Sequence, residues 1–174
     1  MINGIISVSR TLYFRILPKS MVAKIRGVQF GKNCNFHTID FGSEPYLIKM
    51  GDNVRTAAHV SFITHTGLGP LRNIYPELSN ADFIAPIIIG NNVQIGSGVT
   101  ILANTTIGDN VIIGAGSVVQ KEVKSNSIYA GIPAKYICSL DEFKEKNMKN
   151  FSDTKNLSRR EKKEFLLKKY DFIT

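Results

Sequence analysis

From Ile89 the chain repeats itself every six residues: IGNNVQ, IGSGVT, ILANTT, IGDNVI, IGAGSV, VQKEVK. An aliphatic residue opens each unit: Ile89, Ile95, Ile101, Ile107, Ile113 and Val119. The fifth positions are Val93, Val99, Thr105, Val111, Ser117 and Val123, all small or β-branched. A period of six fits neither an amphipathic helix nor a plain alternating strand. It fits short strands joined by tight bends, with the first and fifth positions facing inward. Gly, Asn and Asp suit the bends because they tolerate positive φ. Three units close one triangular coil of 18 residues, and coils stack about 4.8 Å apart like the strands of a parallel sheet.

A turn triplet, Gly-x-Asn, tests the coil length. It occurs at Gly31–Asn33, Gly51–Asn53, Gly90–Asn92 and Gly108–Asn110. The last two are one coil apart. The first two are one coil plus two residues apart, and the segment FGSEPY (41–46) can hold the extra pair. The middle interval is one coil plus 21, and residues 66–86 number 21. Deleting them joins FITH to Ile87 and restores the frame, with Ile87 at an inward fifth position. Residues 66–86 therefore read as a loop inserted directly after His65, and its Gly67, Gly69, Pro70, Pro76 and Pro86 suit irregular backbone. Long loops on rigid scaffolds usually carry function.

The +8 net charge sits at the ends. Residues 1–27 hold five bases and no acid, residues 139–174 hold ten bases and seven acids, and residues 28–138 hold seven of each. A nucleic-acid binder would carry its bases across the folded body, so nucleic acid is not an expected partner. Cys34 and Cys138 lie far apart in no metal-type spacing, which suggests a reducing compartment. Arg10 and Arg15 interrupt the N-terminal apolar run, so it does not read as a signal peptide or a membrane span. The expected location is the cytoplasm, with the inner membrane face as the variant. Residues 5–25 read as a basic helix broken near Pro18. Ser139-x-x-Glu142 and Ser158-x-x-Glu161 are capping boxes that open helical stretches in the tail. Both ends admit two readings: contact with a membrane surface, or packing on the β body, capping its open coils or joining protomers.

The run Ile89–Val123, the loop after a histidine, and YAGIPAKYI (129–137) together resemble the hexapeptide-repeat acyltransferases, over about residues 28–138. The resemblance implies an all-β core, a left-handed parallel β-helix as catalytic domain; the N-terminal (1–27) and C-terminal (139–174) helical segments read from the residues flank it. It implies a homotrimer with acetyl-CoA, as co-substrate, in the groove between protomers. It also implies a general base at the root of the loop, here His65, which takes the proton of an acceptor hydroxyl as that oxygen attacks the thioester. Imidazole titrates near neutrality and suits this task. By motif match the CoA contacts fall on Ser97 in IGSGVT and Ala115 in IGAGSV, stacked on successive coils, with Gln120, Lys121 and Lys135 towards the phosphates. The chain departs from the family pattern at Gln120, Cys138 and Gln94. The fourth-position frame runs from His65 to Asn104 to Glu122, on a different edge from Ser97 and Ala115, so base and donor would meet across a protomer boundary.

The acceptor expected from the resemblance is a sugar hydroxyl, in a surface polysaccharide or its precursor. His37 and Arg72 are the candidate acceptor-binding residues. His59, six before His65, reads either as a second base or CoA contact or as an exposed turn residue. N-acetylation of an amino sugar and O-acetylation of a xenobiotic are the alternative reactions. A scaffold without catalysis and a zinc hydratase are the remaining classes, and no metal is expected because the histidines point from different edges.

Overall fold

The computed structural model describes residues 16–172. The chain divides into two compact units, Met1–Leu140 and Asp141–Thr174. The first unit is a three-sided parallel β-helix. One wall stacks β1 (Gln29–Phe30), β3 (Ile48–Met50), β8 (Ile87–Ile89), β11 (Thr105–Ile107) and β14 (Glu122–Val123). The second stacks β2 (Asn35–Phe36), β4 (Arg55–Thr56), β9 (Val93–Ile95), β12 (Val111–Ile113) and β15 (Ser127–Gly131). The third holds β5 (Ser61–Ile63), β10 (Thr100–Leu102) and β13 (Val118–Val119). All these pairings are parallel. The chain visits the three walls in turn, one coil per circuit.

The register bears out the counting. Thr105 pairs with Ile87, 18 residues apart, and Ile48 pairs with Ile87, 39 apart. The 21 extra residues therefore lie outside the coil. Gln29 pairs with Lys49 and Asn35 with Arg55, each 20 apart, so the earlier two-residue excess lies between Phe36 and Ile48. All six opening aliphatics and all six fifth-position residues are buried. Each buried isoleucine contributes on the order of 2–3 kcal/mol. Of these twelve residues two are polar, and both are satisfied. Thr105 Oγ1 donates to Leu102 O at 2.6 Å and Ser117 Oγ donates to Gly114 O at 2.6 Å.

The last repeat corrects the sequence frame. Val119 pairs 18 residues on from Ile101, but Val123 pairs with Ile107, only 16 apart. The corner after Val119 is two residues short, and Lys121 makes the turn at φ 63°. Val123 is thus buried at a first position, not a fifth, and Glu122 stacks beside Thr106 rather than beyond Asn104. The shortened corner hides a further repeat, VKSNSI (123–128), whose Ser127 pairs with Val111. The helix ends where β15 turns through a cis Ile132–Pro133 bond into antiparallel β16 (Ala134–Ser139).

At the other end, aromatic rings fill the coil. Phe41 stacks on Phe62 at 5.5 Å, and Phe36 meets Phe41 edge-on. Helix α1 (Lys19–Ile25) buries Val22 and Ala23 fully, and Ala23 joins the hydrophobic core of the coils. Of the expected helix over 5–25, residues 5–15, with Arg10 and Arg15, lie outside the described residues. Pro18 sits extended at φ −52°, ψ 134°, immediately before α1.

The second unit carries helices whose starts follow the capping signals. α3 spans Leu140–Asn147, directly after Ser139. Ahead of the tail helix over Arg159–Lys169, Ser158 and Glu161 form both bonds of the capping box. Among the described residues no helix is long and apolar enough to cross a membrane.

Candidate active site

In every regular coil the fourth position of the hexapeptide turns the chain to the next wall through positive φ. Asn53, His59, Asn92, Gly98, Asn104, Asn110 and Gly116 do so at 56–69°. Asn and Gly bear this conformation at least cost. His65 holds the same position and does not turn. It begins β6 (His65–Thr66), which pairs antiparallel with β7 (Phe83–Ile84), His65 opposite Ile84. Ala85 N donates to Thr64 O at 3.0 Å and closes the root. The chain therefore leaves the coil as an extended ribbon, folds through α2 (Gly69–Ile74) and a 3₁₀ turn at Pro76–Leu78, and returns. The expected irregular loop has regular structure of its own.

This exit fixes the imidazole. Thr64 is fully buried, and the His65 side chain is about one-third exposed. Nδ1 lies 3.8 Å from Glu44 Oε1, and Nε2 lies 3.4 Å from Asp82 Oδ1. The two carboxylates are held differently. Glu44 Oε2 accepts from Ser43 Oγ at 2.7 Å and from Thr64 Oγ1 at 2.9 Å, and Glu44 N donates to Thr64 Oγ1 at 3.3 Å. The Ser43 hydroxyl, then that of Thr64 and the neighbouring imidazole, keep its carboxyl below the usual carboxylate range against an opposing cost of burial. Asp82 stands on the loop next to β7. Its Oδ1 also contacts the Arg72 guanidinium, whose Nε donates to Ala81 O at 2.7 Å. Arg72 is thus engaged within the loop one contact away from His65.

Sequence reasoning singled out neither Glu44 nor Asp82. Glu44 had a signal: one 20-residue coil back from Thr64 is Glu44, and the hydrogen bonds run across that stack. Asp82 had none, because the loop has no period.

The remaining candidates fall in three places. Ser97 and Ala115 share one corner. Gly116 N donates to Ser97 O at 2.8 Å, and a Cβ on Gly96 would come within 2.6 Å of Ala115 N. Both residues are exposed. The hairpin bearing Lys135, paired opposite Ala130, covers the end of that column. A Cβ on Gly114 would meet the Ala130 side chain at 2.8 Å. Gln120 and Lys121 lie on the following corner, the shortened one, away from Ser97 and Ala115 within one protomer. His37 does not meet His65. It lines a pocket of about 350 Å³ with Lys19, Asp40, His59 and Ser61. His59 turns its corner exposed, at φ 58°, with Gly98 N donating to the adjacent Ala58 O at 3.0 Å. The pocket thus opens at the foot of the Ser97–Ala115 column. Among the described residues no group of three or more His, Cys, Asp or Glu is placed to hold a metal ion.

Known proteins share this architecture. A family model described as "Bacterial transferase hexapeptide (six repeats)" matches residues 86–121. The chain is 44% identical over 168 residues to Protein CapG of Staphylococcus aureus, covering 92% of this chain and 96% of that protein. It is 39% identical over 118 residues to galactoside O-acetyltransferase of Escherichia coli (strain K12), covering 67% of this chain but only 54% of that protein. A solved structure of galactoside acetyltransferase in complex with coenzyme A superposes with a TM-score of 0.51 at 30% identity, over 68% of this chain and 58% of that one.

Proposed function

Because the chain belongs to the hexapeptide-repeat acyltransferases, built on a left-handed parallel β-helix, we propose that it moves an acetyl group from acetyl-CoA to a sugar hydroxyl, with His65 as general base. The observation that carries this reading is the imidazole at the loop root, fixed by the coil, backed by Glu44 and partly open to solvent.

The chemistry runs on few groups. The imidazole takes the acceptor O–H proton while the oxygen attacks the thioester carbonyl. Backbone N–H groups at a corner supply hydrogen bonds to the tetrahedral oxyanion. The C–S bond then breaks, and the CoA sulfur recovers the proton from the imidazolium. Glu44, ionised and anchored by Ser43 and Thr64, orients the ring through Nδ1 and stabilises the imidazolium as it forms. No acyl-enzyme is needed, so no nucleophilic Ser or Cys is needed.

The donor column of Ser97 and Ala115 lies on a different corner from His65, so the site closes between protomers. A threefold axis parallel to the coil axis keeps equal levels side by side. It brings the His65 corner of one protomer towards the donor column of its neighbour. Lys135 sits at the far end of that column, where the CoA phosphates need a cation. The homotrimer, the sugar acceptor from a surface polysaccharide or its precursor, and a place at the inner face of the membrane are parts of this proposal.

Thiol release from acetyl-CoA, measured against galactosides, oligosaccharides and amino sugars, tests it. Replacement of His65 by Ala lowers transfer by about 10²–10⁴-fold. Full activity in that variant removes His65 as base. Product on amino sugars alone assigns N-acetylation instead. Sedimentation as a monomer at assay concentration eliminates the shared site.

A further inference from the structure

An imidazole with a carboxylate against each nitrogen leaves an acceptor hydroxyl no open nitrogen to approach. His65 is in that state: Glu44 faces Nδ1 at 3.8 Å and Asp82 faces Nε2 at 3.4 Å. For the acceptor hydroxyl to approach a ring nitrogen, one carboxylate must withdraw. Glu44 is the fixed one, about 14% exposed and bonded to Ser43 and Thr64. Asp82 is about 44% exposed and sits on the inserted loop. Its side-chain partners are His65 and Arg72, and both engage the same atom, Oδ1.

We propose that Asp82 Oδ1 marks the position of the acceptor's nucleophilic oxygen, that the acceptor displaces Asp82, and that Arg72 is a second catalytic residue donating to that oxygen. The inference rests on His65 being the general base. Arg72 stays in place when Asp82 leaves, because its Nε is bonded to the backbone oxygen of Ala81. The oxygen that replaces Oδ1 lies near Nε2 on one side and the guanidinium on the other. Its proton passes to Nε2, and its lone pair forms the bond to the thioester carbonyl carbon. The C–S electrons leave with the CoA sulfur, which takes the proton back from the imidazolium. Arg72 remains protonated throughout and acts by stabilising the negative charge that grows on the oxygen as its proton departs. Asp82 takes no part in the chemistry. It occupies the site between turnovers and keeps water from the base.

Water is the smallest acceptor, so acetyl-CoA hydrolysis reads the placeholder directly. With full-length protein, Asp82→Ala hydrolyses acetyl-CoA several-fold faster than wild type. With methyl β-galactoside as acceptor the same variant keeps its kcat and shows a lower acceptor KM. Arg72→Gln loses at least about tenfold in kcat, with a smaller change in KM. Thermal melts of both variants are compared with wild type. If Arg72→Gln melts early, Arg72→Lys, which keeps the charge without the fork, is read in its place and gives an intermediate kcat. Asp82→Ala failing as completely as His65→Ala overturns the inference, because Asp82 is then part of the machinery. Wild-type kcat in the Arg72 variant overturns it equally. Both of those results leave the acetyltransferase reading intact. Absence of transfer and hydrolysis in wild type and Asp82→Ala alike overturns both.

Discussion

Replacing Asn110 tests how the corners hold the coils together. Asn110 turns its corner at φ 57° and sits in the middle of an amide ladder. Asn92 Nδ2 donates to Asn110 Oδ1 at 2.9 Å, and Asn110 Nδ2 donates to Asn126 Oδ1 at 2.9 Å. Asn110→Ala loses both bonds, about 0.5–1 kcal/mol each at this half-exposed corner. It also places an alanine in the left-handed region, which costs about 1 kcal/mol more. The total is about 2–3 kcal/mol. Asn110→Gly loses the same bonds without the backbone penalty and costs about 1–2 kcal/mol. Urea unfolding followed by circular dichroism, at one fixed protein concentration, separates the two. With an m-value of about 2 kcal/mol/M, the midpoint falls by about 1–1.5 M for Ala and by about 0.5–1 M for Gly. The corner lies on a different edge from His65, so acetyl transfer at low denaturant stays at the wild-type rate. If glycine destabilises as much as alanine, the left-handed turn is not what selects asparagine here. If neither shifts the midpoint, the ladder contributes nothing and the stacking of the aliphatic interior suffices.

Gly96→Ala puts a Cβ within 2.9 Å of three backbone atoms of Ala115 and Ile113, none of which can give way; a loss of about 1–3 kcal/mol and a raised KM for acetyl-CoA are expected, measured by urea midpoint and initial rates. Gly67→Ala meets nothing within 4 Å and changes stability by less than about 0.5 kcal/mol, which controls for glycine removal as such. The Glu44 carboxyl is held below its usual value of 4.5, so the stability it contributes is complete above that pH and is lost as pH falls through the lower, folded value. In urea midpoints taken from about pH 7 to about pH 3, the gap between wild type and Glu44→Gln therefore narrows only on the acid side of about 4.5, and a gap that widens there refutes the assignment. Removal of residues 66–86, joining His65 to Ile87, leaves the β-helix circular-dichroism signal and abolishes transfer; loss of the β signal instead shows that the loop helps hold the coils.

The sequence by itself determined the frame. A six-residue period admits one set of inward positions, and each of those residues is buried. The 21-residue insertion was countable because any excess between two turn triplets must leave the coil, and the 39-residue pairing of Ile48 with Ile87 follows. The two-residue shortening at Lys121 escaped the count, since Val123 is apolar and inward in either frame; only the pairing with Ile107 separates the two. The local environment of His65 divides in the same way. Glu44 was within reach of the arithmetic, one stacked coil below Thr64. Asp82 and the lock on Arg72 were not. A repeat constrains residues through the stacking of backbones, which recurs at a fixed interval and leaves a trace in the chain. The loop is held by a ribbon pairing at its root and by side-chain contacts between His65, Arg72 and Asp82, which have no interval. That Asp82 stands against Nε2 of His65 was therefore decided by the folded loop alone.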